Sequence, residues 1–126
     1  MSSRKVSVDQ LASAVNEALS EYTDELAIVV KETAKEVADK TATQLKGSSP
    51  KRIGGYAKSW RAKVMSESTD NLEVTVYNAR WYMLTHLLEH GHAKRGGGRV
   101  AGKLHIAPAE EYAVNELEAA IKRGLS

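Results

Sequence analysis

Between Ser7 and Leu45 apolar or threonine positions recur at Val8, Leu11, Val15, Leu19, Tyr22, Leu26, Val29, Thr33, Val37, Thr41 and Leu45, in steps of three or four, with no Gly or Pro before Gly47. That spacing writes one face of an α-helix. Ser7 followed by Gln10 reads as a capping box at its start, and Gly47 with Pro50 stops it. Helix over residues 7–46 would be ~60 Å long, about twice the breadth of a small domain. A chain of 126 residues is one domain by length, so this helix cannot lie wholly against its own core. Either it breaks in the Thr33 to Thr43 stretch, where the stripe weakens to threonine and alanine, or part of its face packs on another subunit.

Composition sharpens the point. Aromatics are 6 % of residues and much of the apolar 42 % is alanine, so core material is short, and burial against a second subunit would make it good. The absence of cysteine excludes a disulfide framework, a thiolate zinc site and a cysteine nucleophile, and suits a reducing cytoplasm. With 27 % charged residues, no apolar run near 18 residues and no basic-then-apolar leader, neither a membrane span nor a signal peptide is expected.

Residues 1–6 read as a flexible N-terminus and 47–55 as a basic loop punctuated by Gly and Pro. A β-hairpin is expected over 56–78. Leu72, Val74, Val76 and Asn78 alternate with Glu73, Thr75 and Tyr77, and Lys58, Arg61 and Lys63 of the first strand are placed opposite Glu73. Residues 79–91 form a short helix ended by Gly91, and 92–103 a glycine-rich basic loop. Residues 104–126 give a short strand and then a helix opened by Pro108, with Glu110 and Glu111 in its first turn and Gly124 at its end. The predicted fold class is α+β: a long N-terminal helix, a small antiparallel sheet, a short middle helix and a C-terminal helix packed on the sheet.

Charge is segregated beneath a net +2. Residues 7–46 hold 8 acids against 4 bases, residues 47–66 hold 5 bases and no acid, and residues 92–103 hold 4 bases and no acid. Acidic helices beside basic loops favour contact between like subunits, or a loop face turned to a polyanion.

Catalytic patterns are weak. His86 and His90 stand at the i, i+4 spacing of a metal-binding helix, but Glu89 is misplaced for H-E-x-x-H and no third ligand follows; helix-end capping explains them. Gly97 to Lys103 approaches a phosphate-binding loop, but Leu104 stands where Ser or Thr must hold magnesium and Pro108 precedes any helix. Glu110 and Glu111 point to different sides of a helix, and no serine sits in a Gly-x-Ser-x-Gly elbow. No enzyme, metal or cofactor is expected. Lys51, Arg52, Lys58, Arg61 and Lys63, interleaved with Tyr56 and Trp60, keep a small nucleic-acid-binding module as the alternative, although these aromatics are needed for the core.

Three pieces of the chain in order carry a resemblance. They are Arg52-Ile-Gly-Gly-Tyr-Ala-Lys-Ser-Trp60, Val76-Tyr-Asn-Ala-Arg-Trp-Tyr82, and Leu84-Thr-His-Leu-Leu-Glu-His-Gly-His92 followed by a basic glycine loop and His105-Ile-Ala-Pro-Ala109. Over residues 50–112 this resembles the tail-component or neck proteins of long-tailed double-stranded-DNA bacteriophages, which join or complete the tail. The N-terminal helix is similar in type only. The Glu89 to His92 and Gly96 to Gly98 version is similar to the branch from phages and prophages of Gram-positive hosts.

The resemblance implies a structural virion protein of the neck or tail, made in the host cytoplasm, with no membrane partner. It implies a ring-type homo-oligomer contacting head-closure, tail-terminator or tail-tube proteins, and passive contact with genomic DNA. The residues implied at an interface or facing the channel are Lys51, Arg52, Glu89, Lys94, Arg95, Arg99 and Lys103. The loops at 47–55 and 92–103 would order on contact, and Glu89 would anchor the second through Arg95 or Arg99. The motif residues Gly55, Tyr56, Trp60, Asn78, Tyr82, Gly91 and Pro108 have scaffold roles: Asn78 holds the strand-to-helix corner, Gly91 supplies a left-handed helix stop and Pro108 begins the last helix.

Overall fold

A computed structural model describes residues 9–51 and 53–125. In chain order it contains α1 (Asp9–Leu19), α2 (Asp24–Ser48), β1 (Trp60–Ser68), β2 (Asn71–Asn78), α3 (Thr85–His90), β3 (His92–Ala93), β4 (Arg99–Val100) and α4 (Ile106–Leu125). β1 pairs with β2, and β3 with β4, both antiparallel. The class is α+β. Residues 1–6, Ser7 with its expected capping box, Val8 and Arg52 lie outside the described residues.

The long N-terminal helical stretch is two helices. Thr23 takes an extended backbone and its hydroxyl accepts the Leu26 N–H at 3.4 Å, capping α2, with Asp24 and Glu25 in the first turn favouring the positive helix end. The Thr33 to Thr43 stretch, where the sequence weakens, stays helical. There the Thr41 and Thr43 hydroxyls donate back to the Val37 and Asp39 carbonyls at 2.8 and 3.1 Å.

The break changes the phase of burial. α1 buries Leu11, Val15 and Leu19 as the spacing predicts, but α2 opens by burying Ala27, Val30 and Ala34, one residue beyond Leu26, Val29 and Thr33. Leu26 is left 41 % exposed, and the expected stripe resumes at Val37, Thr41 and Leu45. Gly47 does not stop α2, which runs to Ser48. There the Ser49 N–H bonds the Leu45 carbonyl at 3.0 Å and Pro50 follows.

The helices form a layer on the hairpin. α1 and α2 pack on its strands, and α4 closes the layer, packing chiefly on α2 and then on α1. Ala34, Ala38 and Ala42 of α2 and Ala109 and Ala113 of α4 are all buried. Small side chains bring helix axes close, which gives the alanine-rich composition a packing use. Lys40 of α2 and Arg123 of α4 meet Glu116 at 3.4 and 3.1 Å on the exposed side.

The alternation in β2 holds: Leu72, Val74, Val76 and Asn78 are buried. The expected facing of bases against Glu73 does not. A bulge between Val64 and Ser66 sets Ser66 opposite Glu73, while Arg61 faces Tyr77 and Lys63 faces Thr75. The hairpin's charge link runs to α2 instead, through Glu67 with Lys31 at 3.4 Å and Lys35 at 3.1 Å.

Asn16 joins α1 to the start of β2. Its amide donates to the Leu72 carbonyl at 2.9 Å and its oxygen accepts the Leu72 N–H at 3.0 Å. The side chain thereby satisfies both backbone groups of one residue on the strand edge that β1 leaves open. Replacing Asn16 by Ala orphans both groups, and urea unfolding is expected to show a loss of about 1–2 kcal/mol. An unchanged midpoint would remove Asn16 from this role.

Candidate functional site

The C-terminal part of the fold is organised by one buried carboxylate. Glu89, in the last turn of α3, is 4 % exposed. Its Oε1 accepts the N–H groups of His105 at 2.7 Å and Ile106 at 2.8 Å, and its Oε2 accepts the Ala107 N–H at 3.0 Å. A helix start leaves its first four N–H groups without intrahelical partners. Here three are taken by Glu89, the fourth position is Pro108 with no N–H, and the Ala109 N–H makes the first intrahelical bond to the His105 carbonyl at 3.2 Å. The helix therefore begins two residues before Pro108, no strand precedes it at 104–105, Glu110 and Glu111 fall in the second turn, and it continues through Gly124.

His105 extends the network. Its Nδ1 lies 2.7 Å from the Lys103 carbonyl and 2.9 Å from Glu89 Oε1, both acceptors, so Nδ1 carries the proton. Its Nε2 accepts the Tyr56 hydroxyl at 2.7 Å. The Tyr56, Trp60 and His105 rings meet edge to face, with centroids 5.6–6.2 Å apart. Burial pushes the Tyr56 hydroxyl upward in pKa, as does the nearby Glu89 charge. Burial pushes His105 down, against the pull of the Lys103 carbonyl and Glu89. Burial works to raise Glu89, but the three backbone N–H groups and His105 outweigh it and hold the carboxyl below its ordinary value. The state is an ionised Glu89 beside a neutral His105.

The expected pairing of Glu89 with Arg95 or Arg99 is thus replaced by a helix cap. Arg99 instead donates to the His90 carbonyl at 2.9 Å. Nor is 92–103 a formless loop: β3 and β4 pair, and Lys94 and Gly98 close the tip, the Lys94 N–H reaching the Gly98 carbonyl at 3.0 Å. At the ribbon's base, Gly91 has φ +83° and a Cβ there would sit 2.5 Å from the Val100 carbonyl oxygen. A Cβ on Gly102 would come as close to the Gly91 nitrogen and the Glu89 carbonyl oxygen, and the Lys103 N–H bonds the Leu88 carbonyl at 2.9 Å.

The remaining motif residues frame this network. Asn78, fully buried, donates to the Tyr56 carbonyl at 2.8 Å and accepts the Trp81 N–H at 2.7 Å, fixing the corner after β2. Gly55 has φ +85° against Arg80, Trp60 donates to Ser49 at 2.8 Å, and the Tyr82 carbonyl accepts the Thr85 hydroxyl at 2.8 Å.

Lys51, Lys94, Arg95, Arg99 and Lys103 are exposed. Lys51 and Lys103 line one cleft with Pro50 and Leu88, so the two basic segments meet on one side of the molecule. Lys51 also donates to the Lys46 carbonyl at the end of α2 at 2.7 Å. None of these five bases pairs with a carboxylate among the described residues. The His86 and His90 rings lie 4.9 Å apart on the exposed face of α3, and no cluster of three metal-ligating side chains occurs among the described residues.

Comparison with known families decides what kind of protein carries this arrangement. Residues 9–91 match the HK97-gp10-like family, described as "Bacteriophage HK97-gp10, putative tail-component". The chain belongs to this family. No curated protein and no solved structure matches it. As an HK97-gp10-like chain it is a structural phage tail component, which places it in the virion. The match starts in α1, so it includes the helices that the motifs resembled only in type, and it ends at Gly91, before the basic ribbon and α4.

The roles of Asn16 and His105 are not written in local spacing. Asn16 lies one residue off the Leu11, Val15 and Leu19 stripe, and the side-chain partners of His105, Glu89 and Tyr56, come from two distant segments.

Removing the Glu89 carboxylate tests the cap. Glu89→Ala is expected to cost about 2–4 kcal/mol, because it strands buried N–H groups that a charged acceptor holds. Glu89 and His105 both bind protons less readily folded than unfolded, so the unfolded chain gains protons first as pH drops. Stability should fall below about pH 6.5 through His105 and further below about pH 4.3 through Glu89. Urea midpoints measured from pH 7 to 3 should show both losses, with the lower one reduced in Glu89→Gln; an identical acid profile in that variant would contradict the assignment.

Proposed function

We propose that this tail component acts at the head-tail connection, in the neck or in tail completion, by oligomeric assembly and partner binding, not catalysis. The observation that carries the reading is the separation of charge. Exposed bases at Lys51, Lys94, Arg95 and Lys103 have no carboxylate partner among the described residues, while α1, α2 and the turn between them expose Glu17, Glu21, Asp24, Glu25, Glu36 and Asp39. Surfaces so divided are suited to contact with other copies and with head-closure, tail-terminator or tail-tube proteins. The buried polar groups are spent on holding backbone: Glu89 and His105 secure a helix start and Asn78 a corner, which supports a scaffold reading. The protein is made in the host cytoplasm and leaves it in the particle.

The test is assembly. With Lys51, Lys94, Arg95 and Lys103 all changed to Glu, and the fold verified by circular dichroism, electron microscopy of lysates should show unjoined heads and tails. Normal yields of joined particles would overturn the reading. A wild-type chain that binds DNA with affinity falling steeply with salt, yet neither self-associates nor enters particles, would establish the nucleic-acid-binding alternative.

A further inference from the structure

We infer that the groove between α1 and α4 receives the tip of the β3–β4 ribbon from a second copy of the chain, giving a head-to-tail contact; this rests on the assembly role proposed above. The groove has a floor of Ala18, Leu117 and Ile121 and a rim carrying Glu17, Glu21 and Glu118, with Lys122 as its single base. None of the three rim carboxylates forms an ion pair among the described residues. An apolar slot edged by acids calls for a slender basic insert whose aliphatic stems lie on the floor while its charges meet the rim.

The chain itself carries an insert of that chemistry. The ribbon tip is Lys94-Arg95-Gly96-Gly97-Gly98, in which all three glycines have positive φ and only the two bases bear side chains. The tip is therefore thin as well as cationic. Its base is fixed to the body by the close approach of Gly91 and Gly102.

Position dictates that the partner is another molecule. The ribbon leads directly into the start of α4 at Ile106, whereas the groove lies along Leu117 to Lys122. Eleven to sixteen helical residues separate them, ~17–24 Å along a rigid rod. α1 lies beside α4 with the same sense, since its Gln10 N–H bonds Glu110 at 3.1 Å near the ribbon end while Glu17 and Glu21 reach the groove end. Insert and slot thus occupy opposite ends of one helix pair. Complementary surfaces so placed join unlike faces, and repetition closes a ring or extends a filament.

The absence of native cysteine makes the contact easy to trap. Full-length Ala93→Cys, beside the tip, is mixed with full-length Glu21→Cys, on the rim, under mild oxidation at high protein concentration, and linked peptides are identified by mass spectrometry. The mixed 93–21 link should form about tenfold faster than either symmetric link at low salt, through electrostatic steering. The preference should vanish when Lys94 and Arg95 are changed to Glu, and return when Glu17 and Glu118 of the partner are changed to Lys. A mixed link no faster than the symmetric ones overturns the contact. If light scattering then still shows self-association, the assembly role stands and only this interface falls; if self-association is absent too, both fall.

Discussion

Three backbone N–H groups at the start of α4 converge on the carboxylate of Glu89, and the arrangement of everything after the hairpin depends on that convergence. A buried carboxylate is costly unless its lone pairs are used and a helix start is costly unless its donors are used, so each removes the other's penalty. Pro108 completes the accounting by offering no fourth donor. His105 then ties the cap to Tyr56, and Asn78 ties Tyr56 to the corner after β2, so α3, α4 and the hairpin share one chain of hydrogen bonds. Glu89, His105 and Tyr56 stand in line, and their polar side-chain atoms are occupied by this task.

The parts of the fold legible in the sequence are those written in local periodicity. The alternation of Leu72, Val74 and Val76 and the spacing of Leu11, Val15 and Leu19 are repeated signals, and each is realised. The break before α2 was harder to read because Tyr22 and Leu26 continue the helical spacing across it; only Thr23-Asp24-Glu25, a cap followed by acids, marks the new start. The ribbon escaped because strands of two residues have no period to detect.

The candidate site was legible in a different measure. The two basic segments are legible in composition and they meet in space, but the partner of Glu89 is not legible there. A carboxylate next to a stretch rich in arginine invites an ion pair, whereas a cap across 16 to 18 residues leaves no trace in spacing. The competition is decided by burial: at 4 % exposure, oriented backbone donors satisfy Glu89 without bringing another charge out of water.

The Gly91–Gly102 approach has a consequence for how such a protein can vary. Two backbones in direct contact seal the foot of the ribbon, and nothing beyond that seal contributes to the buried core. Residues added to or removed from the tip would change the reach of the arm at small entropic cost, without altering the register of any helix. The body and the arm can therefore drift independently, one under the demands of packing and the other under the demands of whatever it must touch.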